Sequence, residues 1–501
     1  MSSIRRQSII SSIVVYFGFA VGLFNTYLFT REGGFTEQQY GLTNTFIAIA
    51  SSMFSVAGMA MPSFISKFFP YYQAHLPQKK NDQLSWALLV ACIGFLVVVV
   101  LGIFFKHILI DKIFSNSPEL PEYYYWTFLF GFGYTLFMVM EAYAWQHRKA
   151  VLSNFLKEVI FRGCVTVLIV LTTLGIIKDF NGFITLYSFI YLGLVIFLIY
   201  FFFSKGQLHF TFSVSKVTKR FYRKIITLVT YFWGGGLVFN LANVFDGIVI
   251  AAVLPNGMAA AGIFYLAQNV SSLMQAPQRA MISAAVGPLS QAWKDKDYKK
   301  IDTIYHRSSI NQLIFASAMF CLIWLNFEDG VHSFHLRETY LQAQWIFFFI
   351  GISRIIDMGT GLNSHIIGTS TFWRFDFVSG LILLSLALPL NWQLTRYLGL
   401  IGPAVSSIIS LSIYNFIRCW FLWRKFRMQP FTMKSLYTVI VAAVSYLIVW
   451  FAFGSQHGFL WMVVRSVVFC LLFGTGMFGL RLSPDIQPVL ATIKKRLGIK
   501  V

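Results

Sequence analysis

The sequence predicts an all-α polytopic membrane protein, with about 14 transmembrane helices in two pseudo-symmetric six-helix lobes plus two extra C-terminal helices. Three observations carry this. The 501 residues are 57% hydrophobic and 12% charged, with a mean hydropathy of +0.67, outside the range of soluble domains. Apolar runs of about 20 residues, enough to cross a bilayer, recur along the whole chain. Finally, Tyr16-Phe17 with Phe24-Asn25 reappears at one constant offset as Tyr231-Phe232 with Phe239-Asn240, and Ala20 falls opposite Gly235.

Taken in order, the expected spans are residues 9–30, 41–65, 85–105, 124–145, 157–177, 182–203, 225–253, 259–284, 308–326, 343–366, 375–391, 399–421, 436–453 and 459–479. The basic residues set their direction. Of the 40 Lys and Arg, Arg31, Lys106, Lys112, Lys178, Arg337 and Arg396 fall in outer loops if both termini are cytoplasmic, and Arg162, Arg279, Arg354 and Arg465 fall within spans. The rest lie in or beside cytoplasmic segments, as the positive-inside rule expects. The net charge of +21 is therefore read as anchoring to anionic inner-leaflet lipid, with no nucleic acid required. The first apolar run is a full span without a small-residue cleavage site, so it is not read as a cleavable signal. Cys92, Cys164, Cys321, Cys419 and Cys470 never form a CxxC motif and suggest neither metal nor redox chemistry.

Span one leads through an outer Gly-rich turn, Arg31 to Glu37, into span two. The outer residues from Lys106 to Tyr123 are too few for a folded domain. Span four carries Glu141 near its inner end. Span five opens on Glu158 and Arg162, four apart with the acid first, the favourable order for an intrahelical pair. Residues 205–224 are polar and basic and mark the lobe boundary: N-lobe 1–204, linker 205–224, C-lobe 225–423, and residues 424–501 for the last two spans and tail. An even number of spans precedes the linker, so the halves are expected to be parallel repeats with a substrate site between them.

The stretch from Ile225 to Gln291 organises the rest. It holds two apolar segments hinged at Leu254-Pro255-Asn256-Gly257. Gly236, Asn240, Asn243 and Asp246 share one helical face on the first segment; Gln268, Ser272, Gln275 and Arg279 do so on the second. Lipid would penalise these groups by a few kcal/mol each, so both stripes are expected to face protein or a water-filled transport cavity.

Span ten is the other informative helix. Arg354 and Asp357 are one turn apart, Gly361 and Ser364 continue the face, and Arg354 lies roughly 16 Å from the outer end, near the bilayer centre. Two readings stand: mutual neutralisation at a lobe interface, or cavity-lining contact with an anionic substrate or coupling ion. Counted the same way, Asp246 lies near the outer surface and Arg279 near the inner one, so they cannot pair, whereas Asn240, Gln268 and Asn269 fall near mid-depth. Arg279 either binds the headgroup of a substrate arriving from inside or snorkels; Asp246 is either a coupling acid or an interface acid. His332 and His335 in an outer loop lack a third ligand and are not read as a metal site. Arg465 is expected to snorkel, and the tail from Ser483-Pro484 to Arg496 to lie as a capped helix on the inner membrane surface.

Several short motifs resemble the bacterial oligosaccharide flippases of the polysaccharide transporter family, within the multidrug/oligosaccharidyl-lipid/polysaccharide (MOP) superfamily. They are Phe35-Thr36 with Tyr40-Gly41-Leu42, Phe69-Pro70, Asp246-Gly247-Ile248, Gly262-Ile263-Phe264-Tyr265 with Ala267, Gly361-Leu362-Asn363 with Ile366-Ile367, Ser370 and Arg374, and Asn391 with Gly399 to Ala404. The resemblance implies a two-lobed fold that moves an undecaprenyl-pyrophosphate-linked O-antigen or capsule unit across the bacterial inner membrane by alternating access. The first span has no Arg before Arg31, a departure from the lipid II flippase branch. On this reading Arg354, Asp357, Arg279, Asn25, Asn240, Asn243, Gln268, Asn269 and Tyr265 line the central cavity. Asp246, Glu141 and Asp357 are the ion-coupling candidates. No cofactor is expected beyond proton or sodium coupling; a polysaccharide polymerase or ligase is the expected kind of protein partner. Two alternatives are a cation-coupled drug or metabolite exporter of the same fold, and a membrane glycosyltransferase or glycan polymerase. The first would want unpaired acids at mid-depth; the second would want a base or metal-binding carboxylates near the outer surface.

Overall fold

The computed structural model describes residues 3–484, with side chains from residue 13 onward except 238, 239, 241–243, 279, 280, 283, 284 and 373. The tail expected to form a surface helix lies outside the described residues beyond Pro484. The fold is all-helical. Eight helices among the described residues are long and apolar enough to cross a membrane, and a bent pair makes a ninth. The chain divides into two compact units, Met1–Tyr265 and Leu266–Val501.

The first unit holds α1 (Ser3–Thr30), α2 (Glu37–Ala57), α3 (Met61–His75), α4 (Gln83–Phe104), α5 (Leu120–Gln146), α6 (Ala150–Asn154), α7 (Phe161–Thr173), α8 (Phe180–Ser204), α9 (Lys216–Val253) and the first part of α10 (Gly257–Ser272). Its core is aromatic. Phe130 stacks on Tyr187 at 4.8 Å and Phe161 on Tyr191 at 4.5 Å, and Phe46, Phe130, Phe183 and Tyr187 are fully buried.

Some expected spans are not continuous helices, and the interruptions have local causes. The second breaks into α2 and α3, bent by 52°, where Met59 and Ala60 adopt left-handed backbone and Pro62 starts the new helix. The fifth contains a π-helical turn, Phe155–Ile160, between α6 and α7. π turns widen a helix and displace its side chains, and this one carries Lys157 and Glu158.

The seventh span is one 38-residue helix, α9, which begins inside the basic linker. The Ser215 side chain caps its start, and Asp82 accepts from Ser215 N and Thr218 Oγ1 at 2.9 and 2.8 Å. At the other end Asn116 Nδ2 donates to the carbonyls of Ala252 and Val253 at 3.1 Å, and Ser117 Oγ to that of Ala251 at 2.6 Å. These contacts satisfy carbonyls that a helix end otherwise leaves unpaired.

The motif glycines mark close approaches. A Cβ on Gly41 would sit 1.8 Å from the Met258 carbonyl oxygen, and one on Gly262 would sit 2.3 Å from that of Glu37, so α2 and α10 touch backbone to backbone. Gly247 leaves room for the Tyr265 hydroxyl, which would lie 2.1 Å from a Cβ there.

The second unit holds the rest of α10, then α11 (Ala276–Lys294), α12 (Tyr298–Ser333), α13 (Ala343–Gly359), α14 (Asn363–Gly368), α15 (Trp373–Leu398), α16 (Gly402–Phe426), α17 (Met433–Phe453) and α18 (Phe459–Gly479). A short 3₁₀ turn, Leu273–Gln275, separates α10 from α11 just ahead of Pro277. The tenth span ends α13 at Gly359 and restarts as α14 after Gly361, whose φ of 66° favours glycine. Two apolar clusters form here, one around Tyr305, Leu289 and Ile366, the other around Phe469, Val449 and Cys321.

Candidate functional site

In the second unit, the break after α13 turns Thr360 and Asn363 towards α16, and a polar network forms there. Asp357 accepts from Asn415 Nδ2 at 3.1 Å and from Gln278 Nε2 at 3.4 Å. Asn415 Oδ1 lies 2.9 Å from Thr360 Oγ1 and 2.8 Å from Asn363 Nδ2. Asp357 and Asn415 together thus link α11, α13, α14 and α16 through one chain of hydrogen bonds. Asn415 is only 1% exposed.

One turn further on α16, Arg418 pairs with Asp376 of α15, donates to Ser379 Oγ at 3.0 Å and stacks 3.8 Å from the Tyr414 ring centre. Ser364 Oγ reaches the same carboxylate at 3.4 Å. Arg418 is 2% exposed, and its charge is spent within the protein. Arg354 differs. It lies one turn before Asp357 on α13, is half-buried, and has interactions of its own. A guanidinium in that position can hold two oxygens of an anion at once.

The first unit has a second charged cluster. Glu141 of α5 is buried and pairs with Lys157 at 3.3 Å; Glu158 pairs with Arg162 at 3.0 Å, the intrahelical pair expected from the spacing. Arg162 also donates to the Gly18 carbonyl and lies 5.5 Å from the Phe19 ring centre. Asn25 donates to the Arg162 carbonyl at 2.8 Å and accepts from Thr166 Oγ1 at 2.5 Å. Its amide therefore ties α1 to α7. Asn240 exchanges hydrogen bonds with Ser51 of α2 at 2.8 and 3.2 Å.

The remaining expected site residues are placed as follows. Tyr265 is buried against Gly247 in the first unit, where Asp246 is half-buried and engaged. Gln268 and Asn269 are half-buried on α10, and their carbonyls accept from Ser271 and Ser272 at 2.8 and 2.6 Å. The side chains of Asn243 and Arg279 lie outside the described residues. Among the described residues no three of His, Cys, Asp and Glu come together as a metal-binding group.

One expectation is corrected. Arg465 does not snorkel: it is 4% exposed and ion-paired with Asp329 of α12, which also accepts from Gly458 N at 2.8 Å. A partner 136 residues away leaves no trace in local spacing. Asn415, Arg418 and Asp376 went unnoticed for a similar reason. Asp376 opens a span, where polar residues are unremarkable, Asn415 is a single amide in the middle of α16, and only the i,i+3 spacing of Asn415 and Arg418 hints at a shared inward face.

No family model and no curated protein sequence matches the chain. Solved structures do. One described as the lipid II flippase MurJ in an inward closed conformation superimposes with a TM-score of 0.75 at 16% identity, covering 94% of this chain and 99% of its own. An inward-facing multidrug resistance MATE family transporter of the MOP superfamily gives 0.58 at 14% identity, covering 84% of this chain and 98% of its own. A MATE transporter of Vibrio cholerae gives 0.57 at 13% identity, covering 85% and 97%. At these identities the likeness is one of fold.

Proposed function

We propose that the chain is a flippase of the bacterial inner membrane, with both termini cytoplasmic, that carries an undecaprenyl-pyrophosphate-linked oligosaccharide to the periplasmic leaflet by alternating access. The observation that supports the reading is the placement of Arg354 one helical turn before Asp357, whose carboxylate anchors a polar network, in a fold that resembles a solved lipid II flippase over nearly the whole chain. A half-buried guanidinium suits the substrate's fixed pyrophosphate. Gln268 and Asn269, in the same unit as Arg354, offer amides suited to the sugars. The motifs that resemble the oligosaccharide flippases, and the missing first-span arginine, favour an O-antigen or capsule unit over lipid II.

The fold is shared by drug exporters, so a cation-coupled exporter is the second reading. Against it, Glu141 is neutralised by Lys157 and Asp357 is held by two amides. The test is complementation of a deletion strain. Arg354→Ala is expected to abolish surface glycan at normal membrane abundance, with the lipid-linked unit accumulating inside. Full surface glycan with Arg354→Ala, together with dye hypersensitivity of the deletion strain, would replace the flippase with the exporter.

A further inference from the structure

The segment joining α8 to α9 displays an unusual face. From Phe210 to Ser215 the chain is irregular, with a bend at Ser213. Thr211 N donates to Ser85 Oγ at 3.0 Å, Thr211 Oγ1 meets Ser213 Oγ at 3.0 Å, and Ser215 N donates to Asp82 at 2.9 Å. The contacts of Thr211 and Ser215 pin the segment to the start of α4. Phe210, Phe212 and Val214 beside them are exposed at 52%, 59% and 43%. Loops rarely hold three apolar side chains in water by fastening everything between them.

The charge around this face has one sign. Lys205, Lys216, Lys219, Arg220, Arg223 and Lys224 flank it, and the sequence has no Asp or Glu between Asp179 and Asp246. Among the described residues none of these cations has a carboxylate partner; Arg220 and Lys224 lie over Phe221, and Arg223 donates to its neighbour Tyr222. The nearest acid, Asp82, is occupied by Ser215 and Thr218. The apolar surface also continues onto the end of α8, where Tyr200 and Phe203 are exposed. Phe210 follows the last residue of that helix so closely that the extended chain can hold it within about 20 Å of the span's end.

We propose that residues 205–224 are a membrane-surface anchor that lays Phe210, Phe212 and Val214 into the boundary of an anionic phospholipid leaflet, with the flanking cations on its headgroups. A buried apolar edge beside a cationic rim is the pairing that interfacial lipid binding requires. A soluble acidic partner would be served by the cations but not by apolar side chains at the foot of a spanning helix. The anchor fixes the start of α9 at the membrane surface, which goes beyond the transport reading and needs only its assignment of this end to the cytoplasmic side.

Spin-label accessibility tests this on the full-length protein in nanodiscs, with Cys92, Cys164, Cys321, Cys419 and Cys470 replaced by Ala. A label at Phe212→Cys is expected to be relaxed more by oxygen than by a nickel chelate when the discs contain phosphatidylglycerol. A label at Lys79→Cys, in the exposed loop before α4, should show the reverse. Discs of phosphatidylcholine alone, or Lys216, Lys219 and Arg220 all replaced by Gln, should shift Phe212→Cys towards the Lys79→Cys value. Nickel-dominated relaxation at Phe212→Cys in anionic discs overturns the proposal, and so does oxygen-dominated relaxation that ignores both lipid charge and the Gln substitutions. Val214→Cys gives the same readout should Phe212→Cys not fold.

Discussion

Removing the carboxylate of Asp329 should destabilise the protein far more than its place near the end of α12 would suggest. Asp329 and Arg465 are 5% and 4% exposed and face each other across α12 and α18. A terminal nitrogen of Arg465 holds the carboxylate, Arg465 Nε has no hydrogen-bond partner among the described residues, and Gly458 N donates to the same carboxylate at 2.8 Å. Asp329→Ala therefore leaves a desolvated guanidinium and an unpaired backbone donor. Breaking a buried pair from one side costs about 3–5 kcal/mol, and an orphaned backbone N–H adds about 1–3 kcal/mol. Replacing both partners by apolar residues of similar volume, Asp329→Leu with Arg465→Met, removes the stranded charge and is expected to recover most of the first term. Denaturant unfolding of the detergent-solubilised protein, followed through α18, measures all three variants. A loss below about 1 kcal/mol for Asp329→Ala, the value typical of an exposed pair, would refute the reasoning. A double variant as unstable as the single one would do the same.

Other sites give further expectations. Gly41→Leu must drive α2 away from the Met258 carbonyl, which a Cβ would meet at 1.8 Å; thermal melting should fall markedly, while Gly163→Ala, which meets nothing within 4 Å, should leave it unchanged. Asn415→Leu removes a partner from Asp357, Thr360 and Asn363 at once, so surface glycan should fall as it does for Arg354→Ala, with a stability loss of about 2–4 kcal/mol read by denaturant unfolding. The pKa of His147, just past the C-terminal end of α5, is held down to about 4 by burial and then by Lys149. Its folded value lies below its unfolded one, so stability is present above about pH 6.5 and is lost as pH falls towards 4. His147→Phe should flatten the melting temperature between pH 7 and 4.5, and an unchanged slope would count against this assignment.

Helices and the Glu158–Arg162 pair were legible because each has a signature within a few residues. Gly41, Gly247 and Gly262 stood out as motif positions, and the structure supplies their reason: backbones or a phenol ring occupy the place of a side chain. The bend after α2 was not legible, since Met59 and Ala60 hold left-handed backbone that neither residue prefers. Nor was the continuity of α9 into the linker, where basic residues looked like loop but are good helix formers behind a Ser215 cap. The network at Asn415 depends on helices far apart in sequence, and a single sequence does not say which distant amide an acid will find.

The long helix α9 is held at its first turn by Asp82 and at its last by Asn116 and Ser117. A rod of roughly 57 Å clamped at both tips has no freedom to slide, and any change in its shape must appear as bowing along its length. Gly234 and Gly236 lie at its midpoint with no atom near their missing side chains, so the bow is cheapest there.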